Sequence, residues 1–284
     1  MISDSIFTIH KFNIPVTKLN DPIYLLPFGD LHRNAPLCDV EKWHEFLDWA
    51  KNKKNSYFLG MGDLSDFLSF SERKALMNAC LHESSYQTIE DMMISQTREL
   101  TREIEFMKGR IIGLIEGNHY GILQSGMTTT QMMCDKLKCK YLGVSSFIRL
   151  SFVYGKKTAS VDMWVHHGKG GARLLGSSLN TVEQMSAISN AQINLMAHDH
   201  KKSAALKVCF FLSEGGGGIK LNQRKILIGR TGSFLKGYVD GAPSYVAKSA
   251  LTPTDLGVIK IELTPRRTQK DGQDTFYIDL HCSI

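Results

Sequence analysis

Aspartate, asparagine and histidine recur at one kind of place in this sequence, directly after a short apolar run. The runs end in GDLH, GMGDLSD, EGNHY, HHG and MAHDH. Carboxylate, amide and imidazole groups bind divalent metals, and this mixture of oxygen and nitrogen ligands suits Mn, Fe, Co, Ni or Zn better than calcium. No cysteine belongs to the series, which argues against a structural zinc site. The pattern predicts a metal site that is assembled from five separate turns.

The apolar runs that carry these motifs predict five β-strands: IYLLPFGD, SYFLGMGD, RIIGLIEGN, VDMWVHHG and INLMAHDH. Helical periodicity separates the first three, at about 39–52 and within 64–109. Alternating strands and helices are typical of a parallel sheet, and such sheets bind ligands at the carboxyl ends of their strands. Strand alternation would place His198 and His200 on one face, and the same argument applies to the pair in GDLH.

After residue 140 the pattern changes. SSFIRLSFVYG and TASVDMWVHH predict paired short strands, hence an antiparallel portion or a second sheet, and a helix is expected near 179–189. The last 84 residues favour β-structure. In the 64–109 stretch, Phe67, Phe70 and Met77 are expected in the core rather than in a lid that stacks on substrate. SEGGGG at 213–218 is interpreted as a mobile turn, or as a loop that closes over substrate.

Composition narrows the possible classes of protein. The chain has 284 residues, of which 43% are hydrophobic and 22% charged, and no apolar run approaches the roughly 18 residues of a membrane helix. The N-terminus carries no secretion signal, so we expect a cytoplasmic protein with no membrane association. Six scattered cysteines are expected to be reduced thiols. A net charge of +6 mildly favours anionic partners, including nucleic acid.

Taken in order, Asp-x-His, Gly-Asp-x-x-Asp, Gly-Asn-His, His-Gly and His-x-His resemble the five motifs of the calcineurin-like metallophosphoesterases. The resemblance implies an α/β fold, a four-layer α-β-β-α sandwich of two mixed β-sheets flanked by helices. The chain is long enough for one large domain or two small ones, and because no linker is evident we expect a single domain over 1–284, with a motif-bearing core at 22–205 and a helical insert at about 64–109. The mainly β extension at 206–284 lies outside the motifs.

What the resemblance implies for the site is a pair of divalent metal ions, with Mn²⁺ favoured and Fe, Zn, Ni and Co as alternatives. One ion would be held by Asp30, His32, Asp63 and His200. The other would be held by Asp63, Asn118, His167 and His198. Asp63 would bridge the ions with one carboxylate oxygen for each. His166 would pack beside the site, or replace its neighbour as a ligand.

The implied activity is hydrolysis of phosphate esters by a hydroxide that bridges the two metals. Phosphodiesters of nucleic acid or of nucleotides are favoured. The alternatives are a phosphomonoesterase that acts on a small molecule or on protein, a catalytically silent metal-binding scaffold for protein partners, and a nucleic-acid-binding protein with structural metals.

Further residues are candidates for catalysis and for binding the substrate. His119 is the expected general acid, and Asp66 either pairs with it or caps a helix. Lys169, Arg173, Arg33 and Asn34 are candidate contacts for the substrate phosphate, with solvated loop residues as the alternative. Tyr120 stands where the family often has an acid, and it would stack on a substrate base or simply pack.

Overall fold

Two β-sheets form the centre of the protein in the computed structural model, which describes residues 9–79, 81–215, 218–242, 244–270 and 273–284. The strands, in chain order, are β1 (Ile9–Pro15), β2 (Ile23–Phe28), β3 (Ser56–Gly60), β4 (Ile111–Leu114), β5 (Lys140–Tyr141), β6 (Ser145–Tyr154), β7 (Lys157–His166), β8 (Ile193–Met196), β9 (Lys202–Gly215), β10 (Gly218–Ser233), β11 (Gly257–Val258), β12 (Lys260–Lys270) and β13 (Gln273–Ser283). The α-helices are α1 (Val40–Lys51), α2 (Phe70–Asn78), α3 (Glu83–Glu103), α4 (Thr129–Leu137), α5 (Leu175–Ala187) and α6 (Tyr245–Lys248).

Both sheets mix parallel and antiparallel strands. In the first, called sheet I, the order is β13-β12-β2-β3-β4-β5, and the strands from β2 to β5 are parallel. In the second, called sheet II, the order is β1-β6-β7-β8-β10-β11, with β9 paired to β10. There, β7, β8 and β10 are parallel, whereas β6 is antiparallel to β7. Apart from β1, the strands of sheet II follow the change of pattern predicted after residue 140.

Alternating side chains of the strands divide the core into layers. Leu25 and Leu59 of sheet I face sheet II in the central apolar cluster. Their neighbours Leu26 and Phe58 point to the opposite side, where α1, α3 and α4 cover the sheet. Helix α5 covers the outer side of sheet II through a third cluster. The predicted fold class, two mixed sheets flanked by helices, is confirmed.

The helical prediction within 64–109 corresponds to α2 and α3. Phe67 is buried as expected, but Phe70 is 74% exposed, so that prediction is wrong. Phe70 begins α2, and Arg73 is the buried side chain among those described in this helix. The side chain of Met77 and residues 216–217 of SEGGGG lie outside the described residues. No described helix is both long enough and apolar enough to cross a bilayer.

Candidate metal centre

The seven predicted ligands lie in loops that leave the carboxyl ends of five strands, one to four residues beyond the last strand residue. The loops after β2, β3 and β4 belong to sheet I, and those after β7 and β8 belong to sheet II. Ligand atoms of Asp30, His32 and His200 lie within 4.8 Å of one another, and so do those of Asp63, His167 and His198. Residues far apart in the chain thus converge where the carboxyl ends of these strands from the two sheets meet.

Five of the seven have a left-handed backbone. Their φ angles are 45° at Asp30, 46° at His32, 48° at Asp63, 74° at His198 and 60° at His200. Strand alternation is therefore the wrong reason for expecting each Asp-x-His or His-x-His pair to share a face, since these residues lie beyond the strands. Left-handed backbone at a non-glycine residue costs about 1 kcal/mol or more and is found mainly at functional sites. The fold holds these loops in a strained conformation.

Asp63 lies between the two groups of ligand atoms. Its Oδ1 accepts hydrogen bonds from the backbone N–H groups of Asn118 and His119, at 2.7 and 2.8 Å. Its Oδ2 lies 3.8 Å from His32 Nε2 and 3.2 Å from His167 Nε2. The expectation of one oxygen for each metal stays a prediction. The backbone engages one oxygen, and the other faces both groups.

The glycine of the EGNHY motif is explained by this arrangement. A Cβ on Gly117 would lie 2.0 Å from Asp63 Oδ1 and 2.3 Å from the Asp63 backbone nitrogen. Only glycine lets the β4 loop approach closely enough for its amides to reach the carboxylate.

The group around Asp30 contains buried polar atoms without partners. Asp30 is fully buried, and its Oδ2 accepts a hydrogen bond from the backbone N–H of His198 at 2.7 Å, whereas its Oδ1 has no hydrogen-bond partner among the described residues. His32 Nε2 likewise has no hydrogen-bond partner in the part of the chain that the structure describes. Burial raises the pKa of Asp30 to about 7 and lowers that of His200 to about 3. Buried polar atoms without partners are rare, and a carboxylate oxygen beside imidazole nitrogens suits a bound cation.

The second group is more tightly clustered. Asn118 Oδ1 lies 3.0 Å from His167 Nε2 and 2.8 Å from His198 Nδ1, and the two nitrogens are 3.2 Å apart. Ligand atoms bound at about 2.1 Å to one ion are separated by about 3 Å, so the spacing fits a shared metal. His167 Nδ1 faces the Met61 carbonyl at 2.8 Å, which fixes a tautomer that leaves Nε2 for the metal.

The electrostatics of this group also favour a cation. Burial lowers the pKa of His167, but the hydrogen bond and charge of Asp63 outweigh that effect and raise the pKa to about 9. Burial alone would raise the pKa of Asp63. The hydrogen bond and charge of His167 lower this pKa by more than burial raises it, so the net shift is downward. A positive charge is therefore stabilised at this point in the site.

Asp66 contacts two histidines with one oxygen. Its Oδ1 lies 2.8 Å from His32 Nδ1 and 2.9 Å from His119 Nδ1, although the second contact lacks hydrogen-bond alignment. The contact with Asp66 raises the pKa of His119. Ser69, not Asp66, caps α2, so the capping alternative is wrong. The pairing with His119 was expected from the sequence, but the link to His32 was not.

Sequence reasoning missed Arg73, which holds the EGNHY loop. Its Nη1 donates to the carbonyl oxygens of Asn118, at 3.1 Å, and Tyr120, at 3.0 Å, and it also contacts the Leu68 carbonyl. The guanidinium carbon lies 3.9 Å from the centre of the Tyr120 ring. Tyr120 therefore packs against a buried cation. The sequence signal nearest to this contact was Tyr120 itself, at the position after GNH where an acid is common in the family.

Arg230 of β10 plays a comparable part under the MAHDH loop, and it was also missed. Its side chain is almost fully buried; Nη1 donates to the Ala197 carbonyl at 2.8 Å and Nε to the Ser178 carbonyl at 3.1 Å. Nε also lies 3.5 Å from Asp199 Oδ2. Asp199 stands between the two histidines of the motif and hydrogen-bonds to Ser178. This buried pair anchors the loop that carries His198 and His200.

Two of the four candidate phosphate contacts have partners within the protein. Arg33 makes a two-pronged ion pair with Glu103, at 2.7 Å for the shortest contact. Asn34 Oδ1 accepts from the backbone N–H of Asp66 at 2.6 Å, and its Nδ2 donates to the Asp66 carbonyl and to Gln96. Nothing in this geometry supports a substrate contact for either side chain. Both instead support the loops around the site.

The other two candidates, Lys169 and Arg173, are exposed in the loop that follows His167. Neither side chain forms a hydrogen bond or ion pair with another described residue. His166 in the same loop accepts a hydrogen bond from the backbone N–H of Gly168 at 2.7 Å, and burial lowers its pKa. These contacts agree with a packing role for His166, and His167 remains the candidate ligand.

Comparison with protein-family models gives no match, and comparison with curated proteins gives none either. Among solved structures, the chain is similar to Vacuolar Protein Sorting 29 from Cryptosporidium parvum. The sequences are 14% identical, the alignment covers 92% of this chain and 99% of that one, and the TM-score is 0.34. A similarity of this size establishes no shared function, so the functional case depends on the geometry of the site.

Proposed function

We propose that this protein is a dinuclear metal-dependent phosphoesterase. One observation carries the proposal: Asp63 Oδ2 faces two separate groups of buried ligand atoms, 3.8 Å from His32 Nε2 and 3.2 Å from His167 Nε2. A protein that bound a single structural ion would need four ligands, not two adjoining groups that share a carboxylate. The unpartnered Asp30 Oδ1 and His32 Nε2 give the buried site a chemical reason to take up cations.

The ligands divide between two divalent ions as the motifs predict. Asp30, His32 and His200 would hold one ion and Asn118, His167 and His198 the other, with Asp63 between them. Mn²⁺ is the favoured metal, and Fe, Zn, Ni and Co are compatible with the same donors. When bound, such a pair supplies an activated water and positive charge for a phosphoryl oxygen.

His119 supplies the proton in this proposal. Its Nδ1 faces Asp66, which leaves Nε2–H to donate to the oxygen of the departing alcohol. The carboxylate orients the ring and favours its protonated form. His119 is not itself a ligand, so this role does not compete with metal binding.

The substrate in this proposal is a phosphodiester of a nucleic acid or nucleotide. The exposed cations Lys169 and Arg173 follow the His167 ligand directly and would bind a nonbridging or flanking phosphate oxygen. The net charge of +6 agrees with an anionic substrate. Two flanking cations are more useful to a diester within a polyanion than to a small monoester.

The test combines metal content with turnover. Stripped protein is reloaded with Mn²⁺, Zn²⁺, Ni²⁺ or Mg²⁺, its metal content is measured by mass spectrometry, and it is assayed on bis-p-nitrophenyl phosphate, p-nitrophenyl phosphate, cyclic nucleotides, DNA and RNA. We expect two ions per chain and preference for diesters. Two bound ions without turnover on any of these would favour the scaffold alternative, whereas preference for the monoester would overturn the choice of substrate.

Variants separate the roles of the residues. Asp63→Asn should lose metal and activity together. His119→Ala should keep both ions but lose about 10²- to 10⁴-fold in turnover, the usual contribution of a general acid. His44→Ala, which removes an exposed histidine on α1, is the control and should behave as the parent protein. Full activity in Asp63→Asn would contradict its bridging role.

A further inference from the structure

Strands β9 and β10 form a long hairpin that continues past the edge of sheet II. β9 pairs with β10 along its described length, whereas β8 pairs only with Leu227–Arg230 of β10. From Gly218 to Ile226, β10 therefore has β9 as its one strand neighbour among the described residues. A two-stranded ribbon is at best marginally stable in water unless it packs against something else.

One face of this ribbon is apolar and uncovered. In β9 it consists of every second residue, and the register adds the residues opposite them in β10. Six large apolar side chains on this face are between 42% and 71% exposed: Leu206, Val208, Phe210, Leu212, Ile219 and Leu221. We call this set the apolar hairpin face. It continues the inner side of sheet II, because Leu227, opposite Leu206, belongs to the central core cluster.

The other face of the same ribbon has partners within the chain. Arg224 lies over the Phe211 ring, with its guanidinium carbon 4.7 Å from the ring centre. Lys207 is paired with Glu183 of α5 at 3.3 Å, and Cys209 packs against the cluster under that helix. The exposure of the apolar hairpin face is thus not a general property of a projecting hairpin.

We propose that the apolar hairpin face packs against the same face of a second copy of this chain, forming a two-fold symmetric dimer. The six residues expose about 650 Å² in total, at about 170 Å² for each fully exposed residue, a value near the lower end of the range for aromatic side chains. Two such faces would bury about 1,300 Å², within the range of about 1,200–2,000 Å² for stable interfaces. An exposed apolar patch of this size on a protein commonly marks an interaction site.

The charges on this face favour a protein surface over nucleic acid or a lipid membrane. Its lysine, Lys225, is paired with Asp279 of β13 at 2.7 Å, and Glu214 adds a negative charge. Phosphate groups are bound by clusters of free cations, and this face has none among its described residues. A second copy provides an equally apolar surface, and a two-fold axis would bring the same face of each copy into contact.

The experiment measures the mass of the full-length protein by sedimentation equilibrium across a concentration series. We expect the parent protein to reach twice the chain mass of 31.9 kDa. Phe210→Lys with Leu221→Lys should raise the dimer Kd by about 30-fold or more, because both replace buried apolar contacts at the interface. Leu174→Lys with Ile188→Lys is the matched control, since those side chains are 67% and 76% exposed elsewhere. It should remain dimeric.

A monomeric parent protein, or a dimer that persists in Phe210→Lys with Leu221→Lys, would overturn the proposal. Hydrogen exchange on the parent protein gives a second test that needs no variant. Amides of β9 and β10 in the ribbon should exchange more slowly as protein concentration rises, and exchange independent of concentration would contradict the dimer. Metal content should be unchanged in both double variants, so this test is independent of the proposed function.

Discussion

Sheet I and sheet II hold the loops of the candidate metal centre by different interactions. On sheet I, backbone hydrogen bonds join the loops to one another: the amides of Leu31 and His32 donate to the Asp63 carbonyl at 2.9 and 3.0 Å. On sheet II, a buried guanidinium and carboxylate, Arg230 and Asp199, lie beneath the histidine loop. Each backbone hydrogen bond contributes about 1 kcal/mol to stability, and several of them hold the loops of sheet I. Removing one member of a buried ion pair costs more, because it leaves an unpaired buried charge. A single substitution in the groups that hold the loops should therefore cost more stability on sheet II than on sheet I.

Arg230→Met gives the largest expected effect. It leaves Asp199 buried without its cation and removes hydrogen bonds to the carbonyls of Ala197 and Ser178, so stability should fall by about 3–5 kcal/mol. Urea unfolding of the metal-free protein measures this loss. Adding Asp199→Asn to Arg230→Met should recover part of it, because the unpaired charge is gone. A loss below about 1 kcal/mol would remove the distinction between the sheets.

Arg73→Met tests the side chain of α2 that holds the EGNHY loop of sheet I. It removes hydrogen bonds to the Asn118 and Tyr120 carbonyls and the contact with the Tyr120 ring. We expect a loss of about 2–3 kcal/mol, less than for Arg230, because Asp63 Oδ1 still holds the same loop through two backbone amides. Urea unfolding is again the measurement. Arg73→Lys is the control and should lose less, and a loss in Arg73→Met equal to that in Arg230→Met would contradict the comparison.

The candidate ligands could be found from the sequence alone, but the groups that hold them could not. Asp63 and Asn118 could be predicted because each follows a glycine at the end of an apolar run, and that pattern depends on local residues. Arg73 and Arg230 come from elements distant in the chain, and a basic residue in a helix or strand is ordinarily exposed. Their burial depends on carbonyl groups that become available only when the loops fold. The same limit explains Phe70, since Arg73 occupies the buried face of α2.

The local geometry of the loops also could not be predicted from the sequence. The strand ends were predicted, but the left-handed conformations of His32 and His198 were not, because only tertiary contacts offset such strain. The oxygen of Asp63 that would bridge could not be chosen without the amides on Oδ1. Strand β1 and helix α4 were missed as well. The fold class survived these errors because it depends on the order of strands and helices rather than on individual loops.

Asp66→Asn would sharpen the comparison within sheet I. Asp66 contacts His32 and His119 but no predicted ligand from sheet II. Groups that orient metal-bound histidines typically contribute 10- to 100-fold to metal affinity or activity, so the ion near His32 should weaken by about that factor. Calorimetric titration with Mn²⁺ should resolve one weakened and one unchanged site. Equal weakening at both would indicate that the two groups are not held independently.

Arg33→Met and Lys169→Met have the smallest expected effects on stability. Arg33 lies in a loop of sheet I and Lys169 in a loop of sheet II, so the pair compares one cation beside each sheet. Arg33 is paired with Glu103, which also accepts from Trp43 Nε1 at 2.7 Å, so Arg33→Met should cost about 1 kcal/mol in urea unfolding without a change in KM. Lys169 is exposed in the sheet II loop, so Lys169→Met should change stability by less than about 0.5 kcal/mol and raise KM for a phosphodiester. If Arg33→Met instead raises KM and leaves stability unchanged, Arg33 contacts the substrate, because its ion pair would then contribute nothing to the folded protein.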